Sequence, residues 1–218
     1  TSNKNFPTHA GAELHAQRLA RFGFNSVRFH WADSFWPYYT EEPGSLIIKD
    51  SATSRRFDEN ARDRLHYFMA RCADVGIYAN VNLLVARTFQ EGDGLGAEID
   101  SMPWARQHLL SFFNDRMVEL QKEYAAWLLA SPNPYRDNRS LAQDPAVAIV
   151  EILNENGLAD GWLHGQLAAM PAVYTDELQR RWNAWLRARY ADHTAMYEGW
   201  FAVDEPLGSN RLVDVTTA

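Results

Sequence analysis

Residues 147–156, VAIVEILNEN, are the segment that most directly predicts the fold of this chain. They begin as an apolar run rich in β-branched residues and end in a polar Asn-Glu-Asn cluster. An Asp-Pro pair precedes the run and a glycine follows it, so turn-forming residues bracket a segment of strand length. A run that is apolar at nearly every position predicts a strand buried on both faces, as in parallel sheets covered by helices. Because active side chains gather at the carboxyl ends of such strands, Glu155 is the first candidate for a general acid/base.

Two earlier segments carry polar side chains on one face of a predicted strand. In residues 24–31, Arg28 and His30 share one face because side chains alternate along a strand. The opposite, apolar face of this strand comprises Val27, Phe29 and Trp31. In residues 77–84, Asn82 likewise lies on a polar face. An edge strand with a solvated polar face is the alternative for the first segment, but the recurrence of the pattern favours the interior of a barrel near its mouth.

Helices are predicted between the strands. Apolar residues at helical spacing and capping residues predict helices over 8–22 with Thr8 as N-cap, over 58–75 with Asp58 as N-cap, over 104–131, and from Thr175 onward. Helices that alternate with strands specify a parallel sheet with crossover connections. Three strands are too few to close a barrel, which needs eight. The pattern therefore predicts an α/β fold, part of a (β/α)8 barrel, in a single domain over residues 1–218.

The composition is that of a globular domain, 46% hydrophobic and 22% charged, with a formal net charge of −7. This acidity argues against nucleic acid or an anionic membrane as the main partner, and no apolar run is long enough to cross a bilayer. The single cysteine, Cys72, excludes an internal disulfide. It lies on the apolar side of a predicted helix, which predicts a buried, inert thiol.

Several polar residues converge on the carboxyl ends of the predicted strands. Counting back in steps of two from Glu155 places Glu151 on the same face, deeper in the barrel. A buried carboxylate needs a partner, and Arg28 on an earlier strand is the natural one. Asn154 can donate a hydrogen bond to a sugar hydroxyl, and His30 is placed to act similarly. Each of these residues, taken alone, could be an ordinary solvated or core side chain. Their convergence on the strand ends of one sheet favours a functional site.

Four segments carry a family resemblance, and they are VRFHW (27–31), LHYFMARCADVGIYANVNLL (65–84), ARTFQEGDG (86–94) and DPAVAIVEILNENGL (144–158). They resemble clan A glycoside hydrolases, above all the cellulase-like, family 5-type (β/α)8 enzymes of bacteria. The resemblance implies that Glu155 is the acid/base at the end of the fourth barrel strand and that Asn154 binds the substrate's 2-hydroxyl. It implies that Arg28 hydrogen-bonds the nucleophilic carboxylate, and that His30 and Trp31 contact the substrate.

The resemblance also implies a retaining mechanism, in which two carboxyl groups lie about 5–5.5 Å apart. The second carboxylate would be a Glu at the end of a seventh strand. Glu205 is the only late candidate, and it is rejected because it lies in a turn with no apolar strand before it. The expectation is thus an excerpt of a longer glycosidase, truncated at both ends and inactive by itself. Other segments would supply the rest of the barrel.

The implied substrate is a β-linked oligo- or polysaccharide, with no cofactor and no metal. Eight tryptophans are present, and Trp36, Trp104 and Trp162 in predicted loops could line sugar subsites or pack in the core. A secreted or periplasmic location would suit a bacterial polysaccharide-degrading enzyme, but no feature of the sequence indicates either. The alternative is a non-catalytic carbohydrate-binding or degenerate barrel module. A metal-dependent hydrolase is disfavoured because the chain has no His-x-His or His-Glu-x-x-His spacing.

Overall fold

The computed structural model describes residues 5–34, 44–50 and 52–200, and its centre is a parallel sheet. Within these residues the sheet has three strands in the order β1 (Ser26–Phe29), β2 (Tyr78–Asn82) and β3 (Val147–Glu151). The helices are α1 (His9–Arg21), α2 (Glu59–Asp74), α3 (Trp104–Gln107), α4 (Asp115–Leu129), α5 (Leu158–Leu163), α6 (Ala172–Arg189) and α7 (His193–Trp200). The predicted alternation of helices and parallel strands is therefore confirmed. No helix in the described part of the chain is long and apolar enough to span a membrane.

The strand register separates an apolar from a polar face, as the alternation of residues predicts. Phe29 is paired with Val81, and both are 1% exposed in the core beneath the helices. Arg28 is paired with Asn80 on the other face. On that same face Asn82 is paired with Glu151 of β3. The polar side chains of three neighbouring strands are thus brought to one side of the sheet.

The first two helices begin where their capping residues predict. The Thr8 side chain accepts a hydrogen bond from the backbone N–H of Gly11 at 3.2 Å, and the Asp58 side chain accepts one from the backbone N–H of Ala61 at 3.0 Å. Such caps satisfy backbone donors that the first turn of a helix leaves unpaired. Both helices pack on the apolar face of the sheet, where buried residues include Ala12, Ala16, Leu65, Phe68 and Met69.

The continuous helix predicted over 104–131 is wrong in its first part. Residues 104–113 form the short α3 and then a 3-10 helix over His108–Phe112. The α4 helix begins at Asp115, because the Asn114 side chain caps it by accepting from the backbone N–H of Met117 at 2.9 Å. Such a cap requires a non-helical backbone, and Asn114 has φ −93° and ψ 119°.

The N-cap predicted at Thr175 is also wrong. Helix α6 begins at Ala172, and Pro171 occupies the capping position with φ −55° and ψ 144°. Proline suits the start of a helix because the first turn needs no donor from its nitrogen. Thr175 lies inside the helix, where its hydroxyl donates to the Ala172 carbonyl at 3.1 Å.

The prediction that β3 is buried on both faces does not hold within the described residues. Ile149 and Val150 are 53% and 39% exposed. The reason is topological: β3 is at the end of the order β1-β2-β3 and pairs only with β2 in the described part of the sheet. The strand also ends at Glu151, where its pairing with Asn82 ends, rather than continuing toward Glu155.

The thiol of Cys72 is buried, as its position on the apolar side of a helix predicts. The residue is 1% exposed on α2, and burial raises the pKa of its thiol to about 12. Since the thiolate is the reactive form, this side chain is chemically inert in the folded protein.

His66, on the same helix, makes the stability of the fold sensitive to pH. It is 2% exposed, its Nε2 has no hydrogen-bond partner among the described residues, and burial lowers its pKa to about 4. The unfolded chain, with an ordinary histidine pKa near 6.5, binds more protons between these values. The free energy of unfolding should therefore fall by about 3 kcal/mol as the pH drops from about 6.5 to about 4.

Urea unfolding at a series of pH values tests this expectation, with His66→Leu as the matched variant because leucine fills the site without a titrating group. The difference between the two proteins isolates the contribution of His66 from that of other groups. Stability curves that run parallel through this pH window would contradict the assignment.

Candidate active site

An ion pair joins the first and third strands across the second. Arg28 donates from Nε to Glu151 Oε2 at 3.0 Å and from Nη2 to Glu151 Oε1 at 2.5 Å. The pair is thus bidentate, the arrangement in which arginine best fixes a carboxylate. The ion pair predicted from the sequence is present. The hydrogen bonds from Arg28 hold the pKa of the Glu151 carboxyl below its usual range, with a smaller contribution from Asn82.

Asn154 is hydrogen-bonded to the same arginine. Arg28 Nη2 donates to Asn154 Oδ1 at 2.7 Å, and the Asn154 backbone N–H donates to the carbonyl of Leu84 at 2.9 Å. A guanidinium has only donors, so the amide oxygen of Asn154 must face it. Its Nδ2 group is therefore left to donate hydrogen bonds elsewhere.

His30 and Trp31 follow β1 at the same edge of the sheet. His30 Nδ1 lies 2.6 Å from Asn82 Oδ1, and the His30 carbonyl accepts from Asn5 Nδ2 at 2.7 Å. Trp31 does not continue the apolar face of the strand, because β1 ends at Phe29. Its φ of 62° is a left-handed conformation that aromatic residues seldom adopt. Such strain is often found at functional sites.

The rings of Trp31 and Trp104 meet edge to face at this edge of the sheet. Their ring centres lie 6.3 Å apart, and the Trp31 ring is 5.7 Å from that of His30. Trp104, the first residue of α3, is 42% exposed. The two indoles form an aromatic surface beside His30.

Glu155 lies four residues beyond the end of β3. It is exposed and has a φ of 45°, so the chain turns sharply there instead of remaining extended. The count in steps of two that placed Glu155 and Glu151 on one strand face is therefore wrong, because the extended segment stops at Glu151. Glu155 remains next to Asn154 in the chain, at the edge of the sheet where the polar side chains meet.

The remaining predicted residues lie in different environments. Asn82 is 1% exposed, and its amide contacts His30, Asn80 and Glu151. Trp162 is 69% exposed on α5. Trp36 and Glu205 lie outside the described residues. No group of three or more His, Cys, Asp or Glu side chains in residues 5–34, 44–50 and 52–200 could hold a metal ion.

A second buried polar group supports the loops around this site, and the sequence did not predict it. The Oδ2 atom of Asp33, which is 2% exposed, accepts from the backbone N–H groups of Val85, Ala86 and Arg87 at 2.8, 3.2 and 3.1 Å. The loop after β1 is thereby fixed to the loop after β2. A cavity of about 490 Å³ lies between the two loops, with Asp33 and Arg87 in its wall.

Comparison with known proteins addresses the fold. No family model and no curated protein matches the chain. Among solved structures, an endo-1,4-β-mannanase from Rhizomucor miehei matches 71% of this chain with 17% identity and a TM-score of 0.50. This chain has the fold of part of a (β/α)8 barrel.

Two structures of endo-1,4-β-mannanase from Thermotoga petrophila also resemble the chain. Each matches 83% of this chain at 16% identity. Their TM-scores are 0.47 and 0.46, and one of them was determined with maltose and glycerol. The chain spans 42% of the Rhizomucor enzyme and 38% and 49% of the two Thermotoga structures.

Asp33→Ala should destabilise the fold by about 2–4 kcal/mol, because three buried backbone donors would lose their acceptor. The matched control is Asp50→Ala. Asp50 is bonded to one backbone N–H, that of Ala52, and to the exposed Arg56, so its removal should have a smaller effect. Urea unfolding of both variants measures the difference, and equal losses would contradict the role given to Asp33.

Proposed function

We propose that residues 1–218 are part of the catalytic domain of a retaining β-glycoside hydrolase and supply the acid/base half of its active site. The substrate is a β-linked oligo- or polysaccharide. Glu155 is the general acid/base, and the nucleophilic carboxylate lies outside this chain. The observation that carries the proposal is the hydrogen-bonded group of Arg28, Glu151 and Asn154 at the carboxyl edge of a parallel sheet.

The chemistry of this group supports the assignment. Arg28 is fixed by Glu151 but retains exposed surface, with 42% of its side chain accessible, so it can also bind a second carboxylate. Asn154 presents an amide donor, which suits a sugar hydroxyl. The barrel fold shared with a mannanase is compatible with the proposal, and makes β-1,4-mannan the first substrate to test.

In the proposed reaction, the acid/base protonates the glycosidic oxygen as the second carboxylate attacks the anomeric carbon. The glycosyl–enzyme intermediate is then hydrolysed by a water molecule that the same group deprotonates. Arg28 orients the attacking carboxylate and transfers no proton. Asn154 donates to the hydroxyl next to the anomeric carbon, a contact that is strengthened in the transition state of such enzymes.

Glu155→Gln in the full-length protein should abolish most hydrolysis of substrates with poor leaving groups. Activity on aryl glycosides with activated leaving groups should survive better, because these need little protonation. The measurement is kcat/KM on both substrate types. Glu198→Gln, at an exposed glutamate on α7, is the matched control and should leave both values unchanged. Equal losses on both substrate types would contradict the acid/base role of Glu155.

Arg28→Ala should lower kcat by a hundred-fold or more, since a misplaced nucleophile loses most of the advantage of orientation. Arg28→Lys keeps the charge but not the bidentate geometry and should recover only part of the activity. Circular dichroism and thermal unfolding show whether each variant is folded. Normal turnover by a folded Arg28→Ala enzyme would remove Arg28 from the site.

A further inference from the structure

Asn82 on β2 lies at the centre of a hydrogen-bond network that connects it to Glu151 on β3 and to His30, which follows β1. Its Oδ1 is 2.6 Å from His30 Nδ1, and its Nδ2 is 3.0 Å from Glu151 Oε2. The same Nδ2 lies 3.2 Å from Asn80 Oδ1. At 1% exposure the amide is enclosed by these partners. Its two ends therefore meet groups of different hydrogen-bonding character.

The orientation of this amide follows from the acceptor it meets at one end. A carboxylate only accepts hydrogen bonds, so the atom of Asn82 that faces Glu151 has to be the nitrogen. Glu151 is held in the ionised form by the two hydrogen bonds from Arg28, and Arg28 lowers its pKa. A flipped Asn82 would place its oxygen against the carboxylate oxygen. The amide oxygen consequently faces His30.

The orientation of Asn82 in turn decides where the His30 proton lies. An amide oxygen accepts and cannot donate, so the short contact to Nδ1 is a hydrogen bond only if Nδ1 carries the proton. We propose that Asn82 is a positioning residue, which fixes neutral His30 as the Nδ1–H tautomer and leaves Nε2 as a hydrogen-bond acceptor for a substrate hydroxyl.

This assignment gives the edge of the sheet two groups of opposite hydrogen-bonding character. Arg28 fixes Asn154 as a donor, and Asn82 fixes His30 as an acceptor, and both depend on the same carboxylate, Glu151. A sugar hydroxyl both donates and accepts, so donor and acceptor together suit a polyol. The substrate part of this inference rests on the proposed function, whereas the tautomer does not.

Long-range ¹H–¹⁵N correlation spectra of the histidine rings test the tautomer directly at pH 8, where imidazole is ordinarily neutral. His30→Gln identifies the His30 signals by their loss. We expect Nδ1 of His30 to be protonated and Nε2 to be unprotonated. A His30 with its proton on Nε2 in the unaltered chain would overturn the proposal.

Three variants separate the effect of Asn82 from general damage to the fold. Asn82→Leu removes the acceptor and should release His30 into a mixture of tautomers. Asn82→Gln retains an amide, with an oxygen for Nδ1 and a nitrogen for Glu151, and should keep the Nδ1–H form. Asn80→Ala removes a side chain that touches Asn82 but not His30, and should leave the tautomer unchanged. A His30 signal unaltered by Asn82→Leu would overturn the positioning role.

The kinetic consequence is measured in the full-length protein on a β-linked oligosaccharide. Asn82→Leu should lower kcat/KM about ten- to a hundred-fold, and Asn82→Gln, which keeps the amide, should be less impaired. Full activity in an Asn82→Leu enzyme that has lost the tautomer would overturn the role of Nε2 toward substrate. An inactive unaltered protein that retains the Nδ1–H signal would instead overturn the proposed function and leave the tautomer established.

Discussion

The carboxylate of Glu151 determines how the polar side chains at this edge of the sheet are arranged. It belongs to the last residue of β3 and accepts hydrogen bonds from Arg28 on β1 and from Asn82 on β2. Because a carboxylate only accepts, each of its neighbours must present a donor to it. The orientation of Arg28 then determines that of Asn154, and the orientation of Asn82 determines which atom of His30 faces it. One acceptor-only group thus orders side chains from three strands.

This ion pair orders the site more than it stabilises the fold. The side chains of Arg28 and Glu151 are 42% and 26% exposed, and pairs open to water contribute about 1 kcal/mol or less. The stability of the fold resides instead in the apolar layer between the sheet and its helices, where residues such as Phe29 and Val81 are almost fully buried. The chain therefore places its stabilising contacts on one face of the sheet and its orienting contacts on the other.

Sequence periodicity predicted the parts of the structure that depend on local interactions. The caps at Thr8 and Asp58 involve residues three positions apart, and the polar faces of β1 and β2 follow from simple alternation. The pairing of Arg28 with Glu151 could also be predicted, because a charged residue on an otherwise apolar strand needs a partner on a neighbouring one.

Several of the failures concern features that only tertiary pairing determines. Strand β3 ends at Glu151, where its pairing with Asn82 of β2 ends, so the position of Glu155 could not be counted from the strand. Asp33 has no sequence signature, because its partners are backbone groups some fifty residues further along the chain. The exposure of Ile149 depends on what else pairs with β3, which no pattern within that strand can show.

The access of water to β3 also bears on the chemistry proposed for Glu155. Ile149 on β3 and Ile152 just beyond it are 53% and 67% exposed, although residues 147–153 have the composition of a strand covered on both faces. A carboxyl group acts as a general acid near neutral pH when burial and a nearby negative charge disfavour its ionised form. Glu155 is exposed among the described residues, so these residues alone do not supply that burial. The proposed acid/base role of Glu155 therefore depends on groups outside the described residues.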